Sequence, residues 1–194
     1  MLIRNILEES VRKFDEVKAV KWLNKKEIME RSYGELMENV VSTRKGLLAE
    51  GFEGKHIALI GTSSVEWMES YLGIITGCTT AVPLDAALPC EDLIDLLNRS
   101  DSVALFLSPK LKPYLDAFLE NCPKLQKVWM LQEEVEDAPA KVYGIGAVSY
   151  THLLNGQSWN SGDQLWNPVC RCYLHTSLLW RSAKKKKRQD RSEN

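Results

Sequence analysis

Apolar residues along the first 131 positions switch repeatedly between a helical and a strand-like period, and these switches divide the chain into elements. Ile6, Leu7, Val11 and Phe14 share helical spacing, so Asn5–Phe14 reads as a short amphipathic helix. Two β-prone runs follow, Ala19–Leu23 and Glu27–Arg31, on either side of the polar Asn24-Lys25-Lys26. That arrangement predicts a β-hairpin with an architectural role. Ser32-Tyr33-Gly34-Glu35 has the Ser-x-x-Glu spacing of a capping box, in which each side chain satisfies a free backbone N–H at a helix start. Leu36, Val40, Thr43 and Leu47 then line one stripe, and Gly51 closes the helix. His56–Ile60 is a short apolar run ending at Gly61, the pattern of a strand buried on both faces of a parallel sheet.

A second round of the same alternation follows. Ser63-Ser64-Val65-Glu66 repeats the capping-box spacing, with Trp67, Met68, Tyr71, Leu72 and Ile75 as the expected apolar face of a helix ending near Gly77. A strand is expected at Cys78–Val82, broken by Pro83-Leu84-Asp85; Pro89 then opens a helix that turns Leu93, Leu96 and Leu97 inward. Val103–Leu107 reads as a further buried strand, Tyr114, Leu115, Phe118 and Leu119 as a helix, and Lys127–Leu131 as a strand before the acidic stretch Glu133–Asp137. Helices alternating with short apolar strands predict an α/β fold, a mostly parallel sheet with flanking helices behind an N-terminal β-hairpin. Past Tyr150 the periodicity fails. Trp159, Trp166 and Trp180 punctuate a stretch without helical or strand spacing that ends in Lys184–Arg188. The expected division is therefore 1–150 as an α/β domain and 151–194 as an aberrant, disordered basic tail.

Charge sharpens that boundary. Residues 151–194 hold eight Lys or Arg against three acids, a net +5, so the formal −1 of the 194-residue chain leaves −6 on residues 1–150. A chain so near neutrality lacks the basic face that displaces counterions from a phosphate backbone, and no nucleic acid partner is expected. The start turns acidic at once, unlike a secretory leader, and no apolar run approaches the roughly 20 residues of a transmembrane helix. Five cysteines, an odd number in scattered apolar surroundings, suit reduced thiols and a cytoplasmic location.

Candidate chemistry is sparse. Neither Ser32 nor Ser63 sits in a Gly-x-Ser-x-Gly elbow, so both read as helix caps, with Glu66 as the partner of Ser63. Trp67 and Tyr71 read as packing residues rather than a stacking platform. Asp85 ends a strand, where α/β proteins often place ligands, but a turn at Pro83-Leu84-Asp85 accounts for it. His56, His152 and His175 are far apart and no metal site is expected. Cys170-Arg171-Cys172 has the wrong spacing for zinc, and Gly144-Ile145-Gly146 lacks the third glycine of a dinucleotide loop. Lys184–Arg188 could attract polyanions, yet reads more simply as a solvated tail.

Three ordered stretches resemble the start of the adenylate-forming superfamily, which contains acyl-CoA synthetases. Ser32-Tyr33-Gly34-Glu35-Leu36 is similar to its early Thr/Ser-Tyr-x-Glu-Leu motif. Ile57–Ile60 followed by Ser64-Val65-Glu66-Trp67 is similar to its strand and Asn-Ser-x-Glu-Trp helix. Gly73–Asp85 is similar to its Gly-x-x-x-x-Gly-x-x-x-Val-Pro-Leu/Ile-Asp stretch. The resemblance covers roughly the first 130 residues and leans toward a long-chain fatty acid–CoA ligase.

The resemblance implies an N-terminal fragment of an enzyme that uses ATP and Mg²⁺ to convert a carboxylic acid to an acyl-adenylate and then passes the acyl group to CoA. The small-molecule acid, ATP and CoA would be its partners, and the fragment itself would need no cofactor. Such chemistry must bring a carboxylate to an α-phosphate and stabilise the charge that develops. In the family a loop reading Thr-Ser-Gly-Thr-Thr-Gly-x-x-Lys cradles the phosphates. Ser149-Tyr150 and His152-Leu153-Leu154 resemble the approach to it, and Thr176 and Ser177 resemble its first residues, the expected nucleotide contacts. Leu178-Leu179-Trp180-Arg181 then stands where Gly-Thr-Thr-Gly should follow. One explanation is a reading-frame error from about residue 155, although neither shifted frame of Ser177–Arg181 restores the loop in full. The expectation is a ligase fragment with no catalytic residue of its own, inactive in this form. The alternative is a short non-catalytic α/β binding or assembly module with a basic tail, which predicts a monodisperse fold where a fragment would aggregate.

Overall fold

The computed structural model describes residues 2–132 and 142–144. It opens with α1 (Ile3–Phe14) and a hairpin of β1 (Lys18–Asn24) and β2 (Glu27–Ser32). The hairpin is antiparallel and turns through Lys25-Lys26, with Asn24 opposite Glu27. Lys25 takes a left-handed φ of 56° there, in place of the glycine that usually supplies one. Ser32 then caps α2 (Tyr33–Ala49) with the full expected box. Its hydroxyl accepts from the Glu35 N–H at 3.2 Å, and the Glu35 carboxylate accepts from the Ser32 N–H at 2.7 Å. That backbone hydrogen bond holds the Glu35 carboxyl below its usual range. Leu36, Val40, Thr43 and Leu47 are buried as the stripe predicts, and Gly51 follows the helix at φ 75°.

Five strands form one parallel sheet: β3 (His56–Ile60), β4 (Thr80–Leu84), β5 (Ser102–Leu107), β6 (Lys127–Met130) and β7 (Val142–Gly144), in spatial order β4-β3-β5-β6-β7. Between them run α3 (Val65–Thr76), α4 (Cys90–Arg99) and α5 (Leu115–Asn121), the last preceded by a 3-10 segment at Pro109–Tyr114. The chain moves outward from β3 to β4 and returns past β3 to β5, and that reversal puts α3 and α4 on opposite faces of the sheet. Strand alternation divides the core accordingly. Ala58, Ile60, Leu105 and Leu107 pack with Leu93 and Phe118 on the α4–α5 side. Ile57, Leu59, Phe106 and Trp129 pack with Leu47 and Ile74 on the α2–α3 side. The expected α/β fold, parallel sheet and N-terminal hairpin are all present.

Four local expectations are corrected. The cap of α3 is Ser64, whose hydroxyl accepts from the Trp67 N–H at 3.1 Å, so no Ser63–Glu66 box forms. Ser64→Ala is therefore expected to cost about 1 kcal/mol in a urea titration and Ser63→Ala less than about 0.5 kcal/mol. Equal losses would return the cap to Ser63. The most buried face of α3 carries Val65, Glu69, Ser70, Gly73 and Ile74, while Trp67, Met68, Tyr71, Leu72 and Ile75 are only half-buried. Strand β4 begins at Thr80 and runs through Pro83 to Leu84, opposite Leu59 and Ile60, instead of breaking at Val82. Among the described strands it is an edge strand, where a residue without an N–H leaves no partner waiting. Of the inward leucines expected on α4, Leu93 and Leu97 are buried and Leu96 is half-buried. No helix among the described residues is long and apolar enough to cross a membrane.

Candidate functional site

Doubly wound sheets bind ligands outside the carboxyl ends of their strands where the strand order reverses, here between β3 and β5. At that point Gly61 follows β3 and Ser108 follows β5, and the Ser108 N–H donates to the Ile60 carbonyl at 2.9 Å. A Cβ on Gly61 would lie 3.0 Å from the Ser108 Cβ and 3.3 Å from Trp67 Cδ1. Glycine therefore lets the two strand ends and the start of α3 close on one another. Ser64 points the N-terminus of α3 into the loop Gly61–Ser64, and Glu66 in its first turn accepts from Gln132 Nε2 at 2.9 Å. Gln132, just past β6, holds a left-handed φ of 64°. Trp67 stacks on Tyr71 with ring centroids 5.4 Å apart and packs against the α2–α3 side of the core, the packing role expected of both.

The described residues at this end of the sheet offer hydroxyls, a helix N-terminus, one amide and one carboxylate. The described residues there include no nucleophile beside a base and no cation to meet a phosphate. Among the described residues no group of three or more His, Cys, Asp or Glu side chains could hold a metal ion. Asp85 Oδ1 accepts from the Ala87 N–H at 2.9 Å, which gives that carboxylate a turn-forming role. His56 stands at the opposite end of β3, its Nδ1 2.6 Å from the Ser100 carbonyl oxygen. Burial pushes the Cys90 and Cys122 thiols up, away from the reactive thiolate. Gly144 is a strand residue opposite Met130. Thr176 and Ser177, the expected nucleotide contacts, lie outside the described residues, as do His152, His175, Cys170, Cys172, Gly146 and Lys184–Arg188.

Sequence reasoning passed over one polar cluster. Glu69 on α3 is 4% exposed and accepts hydrogen bonds from Arg31 of β2 and, at 3.0 Å, from Asn39 of α2. Burial raises its carboxyl above the usual range, against the lowering effect of Arg31 and Asn39. An acid among the apolar residues of α3 was the available signal. The cluster ties hairpin, α2 and α3 together and lies apart from the strand ends, so its role is structural.

Comparison with known proteins places this scaffold. No curated protein matches the sequence. Solved structures do match in fold. The chain aligns with anthranilate CoA ligase AuaEII, crystallised with anthranoyl-AMP, at TM-score 0.60 and 19% identity over 65% of this chain and 24% of that one. It aligns with coronafacic acid ligase from Pectobacterium brasiliense at TM-score 0.69 and 18% identity over 86% and 32%. A third match, designated a long-chain-fatty-acid CoA ligase, from Rhodopseudomonas palustris, has TM-score 0.65 and 11% identity over 78% and 37%. The chain thus spans between 24% and 37% of the length of these relatives. The family model of the AMP-binding enzymes matches residues 7–168, which takes in the hairpin, the capped α2 and the parallel sheet just described, and the chain belongs to that family.

Proposed function

We propose that this chain is the N-terminal part of an AMP-forming acid–thiol ligase that activates a fatty acid with ATP and Mg²⁺ to an acyl-adenylate and transfers it to CoA in the cytoplasm. The carrying observation is the family match over residues 7–168 on a sheet whose order reverses between β3 and β5. The described residues act in this reading as scaffold: they fix the strand ends and the start of α3, and residues beyond them bind the anions. The fatty acid rests on the sequence lean already described and on the designation of one similar structure.

We propose further that the 194-residue polypeptide does not itself form adenylate. Leu178, Leu179, Trp180 and Arg181 stand where small residues would let backbone N–H groups approach a phosphate, and residues from about 155 onward are read as partly or wholly out of frame. The purified chain is expected to show no carboxylate-dependent exchange of labelled pyrophosphate into ATP, with fatty acids or shorter acids. Exchange above background would overturn inactivity. Sequencing a fresh clone through and beyond the codon for Asn194 tests the ligase reading separately. A phosphate loop with its lysine in another frame or further downstream supports it; an in-frame stop with no such motif in any frame removes it.

A further inference from the structure

Among the described residues, every exposed large apolar side chain lies between Leu2 and Met29, and none lies in residues 30–132. The two most exposed are Ile28, at 71%, and Leu23, at 69%. They oppose each other one pair before the tip of the hairpin and so project from the same side of it. The tip itself is Lys25-Lys26.

Charge separates this hairpin from the rest of the described chain. Residues 18–32 hold five Lys or Arg against two Glu, a net +3, whereas residues 33–132 hold eight against thirteen acids, a net −5. A protein partner of ordinary affinity needs about 800 Å² of contact on each side, more than a two-residue turn and one apolar pair supply. A hairpin tip with two exposed apolar side chains behind two lysines suits a different partner. A bilayer accepts apolar side chains at the boundary between headgroups and acyl chains, while lysine ammonium groups remain at headgroup level among acidic lipids.

We propose that the hairpin tip is a peripheral contact for anionic lipid surfaces, with Leu23 and Ile28 entering the interface and Lys25 and Lys26 meeting acidic headgroups. The proposal does not depend on adenylation. It is tested by co-sedimenting the 194-residue chain with vesicles of phosphatidylcholine alone and of phosphatidylcholine mixed with phosphatidylserine. Binding is expected only to the mixed vesicles and is expected to fall as salt rises. Lys25→Gln/Lys26→Gln should lower the partition coefficient about 25-fold, since each lysine near an anionic surface is worth about fivefold. Leu23→Ser/Ile28→Ser should lower it at least about tenfold. Both variants alter exposed positions and should keep the far-UV circular dichroism of the parent. Absence of binding by the parent overturns the proposal. So does binding that survives both double substitutions, which would assign it to Lys184–Arg188 or another surface. A concentration-dependent dimer that Leu23→Ser/Ile28→Ser dissolves would also overturn it, because a second copy would then be what covers the tip.

Discussion

Glu69→Ala is expected to lower the unfolding free energy by about 3 kcal/mol, whereas Glu69→Gln should leave it unchanged or slightly higher at neutral pH. Glu69 is buried on α3 and accepts from both Arg31 and Asn39. Removing the acceptor leaves the Asn39 amide and the Arg31 guanidinium without their acceptor, and breaking a buried pair costs about 3–5 kcal/mol. The low end applies because the Arg31 side chain is 26% exposed and keeps access to water. Glutamine retains an acceptor oxygen but carries no charge into the interior. The pH dependence separates the two effects. Burial raises the folded-state carboxyl of Glu69 above its unfolded value, so the folded chain holds that proton more tightly. The stability this supplies is complete below the ordinary glutamate range and is lost as pH rises through the folded value. Relative to Glu69→Gln, the parent should therefore weaken as pH rises through that window in urea titrations. A parent that gains on Glu69→Gln over the same rise would mean that Arg31 and Asn39 outweigh burial.

The readings that hold are those in which cause and effect lie close in sequence. Ser32 and Glu35 form their box within one turn, and the stripe from Leu36 to Leu47 needs only helical periodicity to be placed. The buried strands at His56–Ile60 and Val103–Leu107 are legible for a similar reason, since a strand covered on both faces has no polar alternation to interrupt it. The cap of α3 is different. Ser63 and Ser64 both offer a hydroxyl, and the choice is settled by where Gly61 lets the chain leave β3 beside Ser108, a contact between residues 47 positions apart. The inward face of α3 fails for a related reason. Placing its largest apolar residues inward ignores that α2 lies close against it, so small Ser70 and Gly73 and the paired Glu69 take the tightest positions. The strand β7 is three residues long and follows an acidic stretch, too short to show any period. In the candidate site, the scaffold motifs were legible as motifs, whereas the meeting of the β3 and β5 ends depends on strand order, which no local pattern carries.

Gly73→Val should lower stability by about 3 kcal/mol, because Gly73 is where α3 and α2 come closest. A Cβ built there would lie 2.6 Å from Thr43 Cβ, 2.7 Å from Thr43 Cγ2 and 3.2 Å from the Val40 carbonyl oxygen. Thr43 is itself buried in α2, so neither helix can yield without moving backbone. Inserting carbon into a packed contact costs about 1–3 kcal/mol, and valine brings three carbons where there is no space for one, which places it at the upper end. Alanine at the same position would recover up to about 1 kcal/mol of helix propensity against glycine and should be the milder change. The contact makes a specific claim about rescue. Thr43→Ala keeps the Cβ at fault and should relieve little, whereas Thr43→Gly clears it. A double-mutant cycle of Gly73→Ala with Thr43→Gly, read by urea unfolding, should therefore show the pair less destabilised than the sum of its parts by at least about 1 kcal/mol. Strict additivity would mean that the two helices are not in contact at this point, and that the first glycine of the Gly73–Gly77 spacing is there for some reason other than close packing.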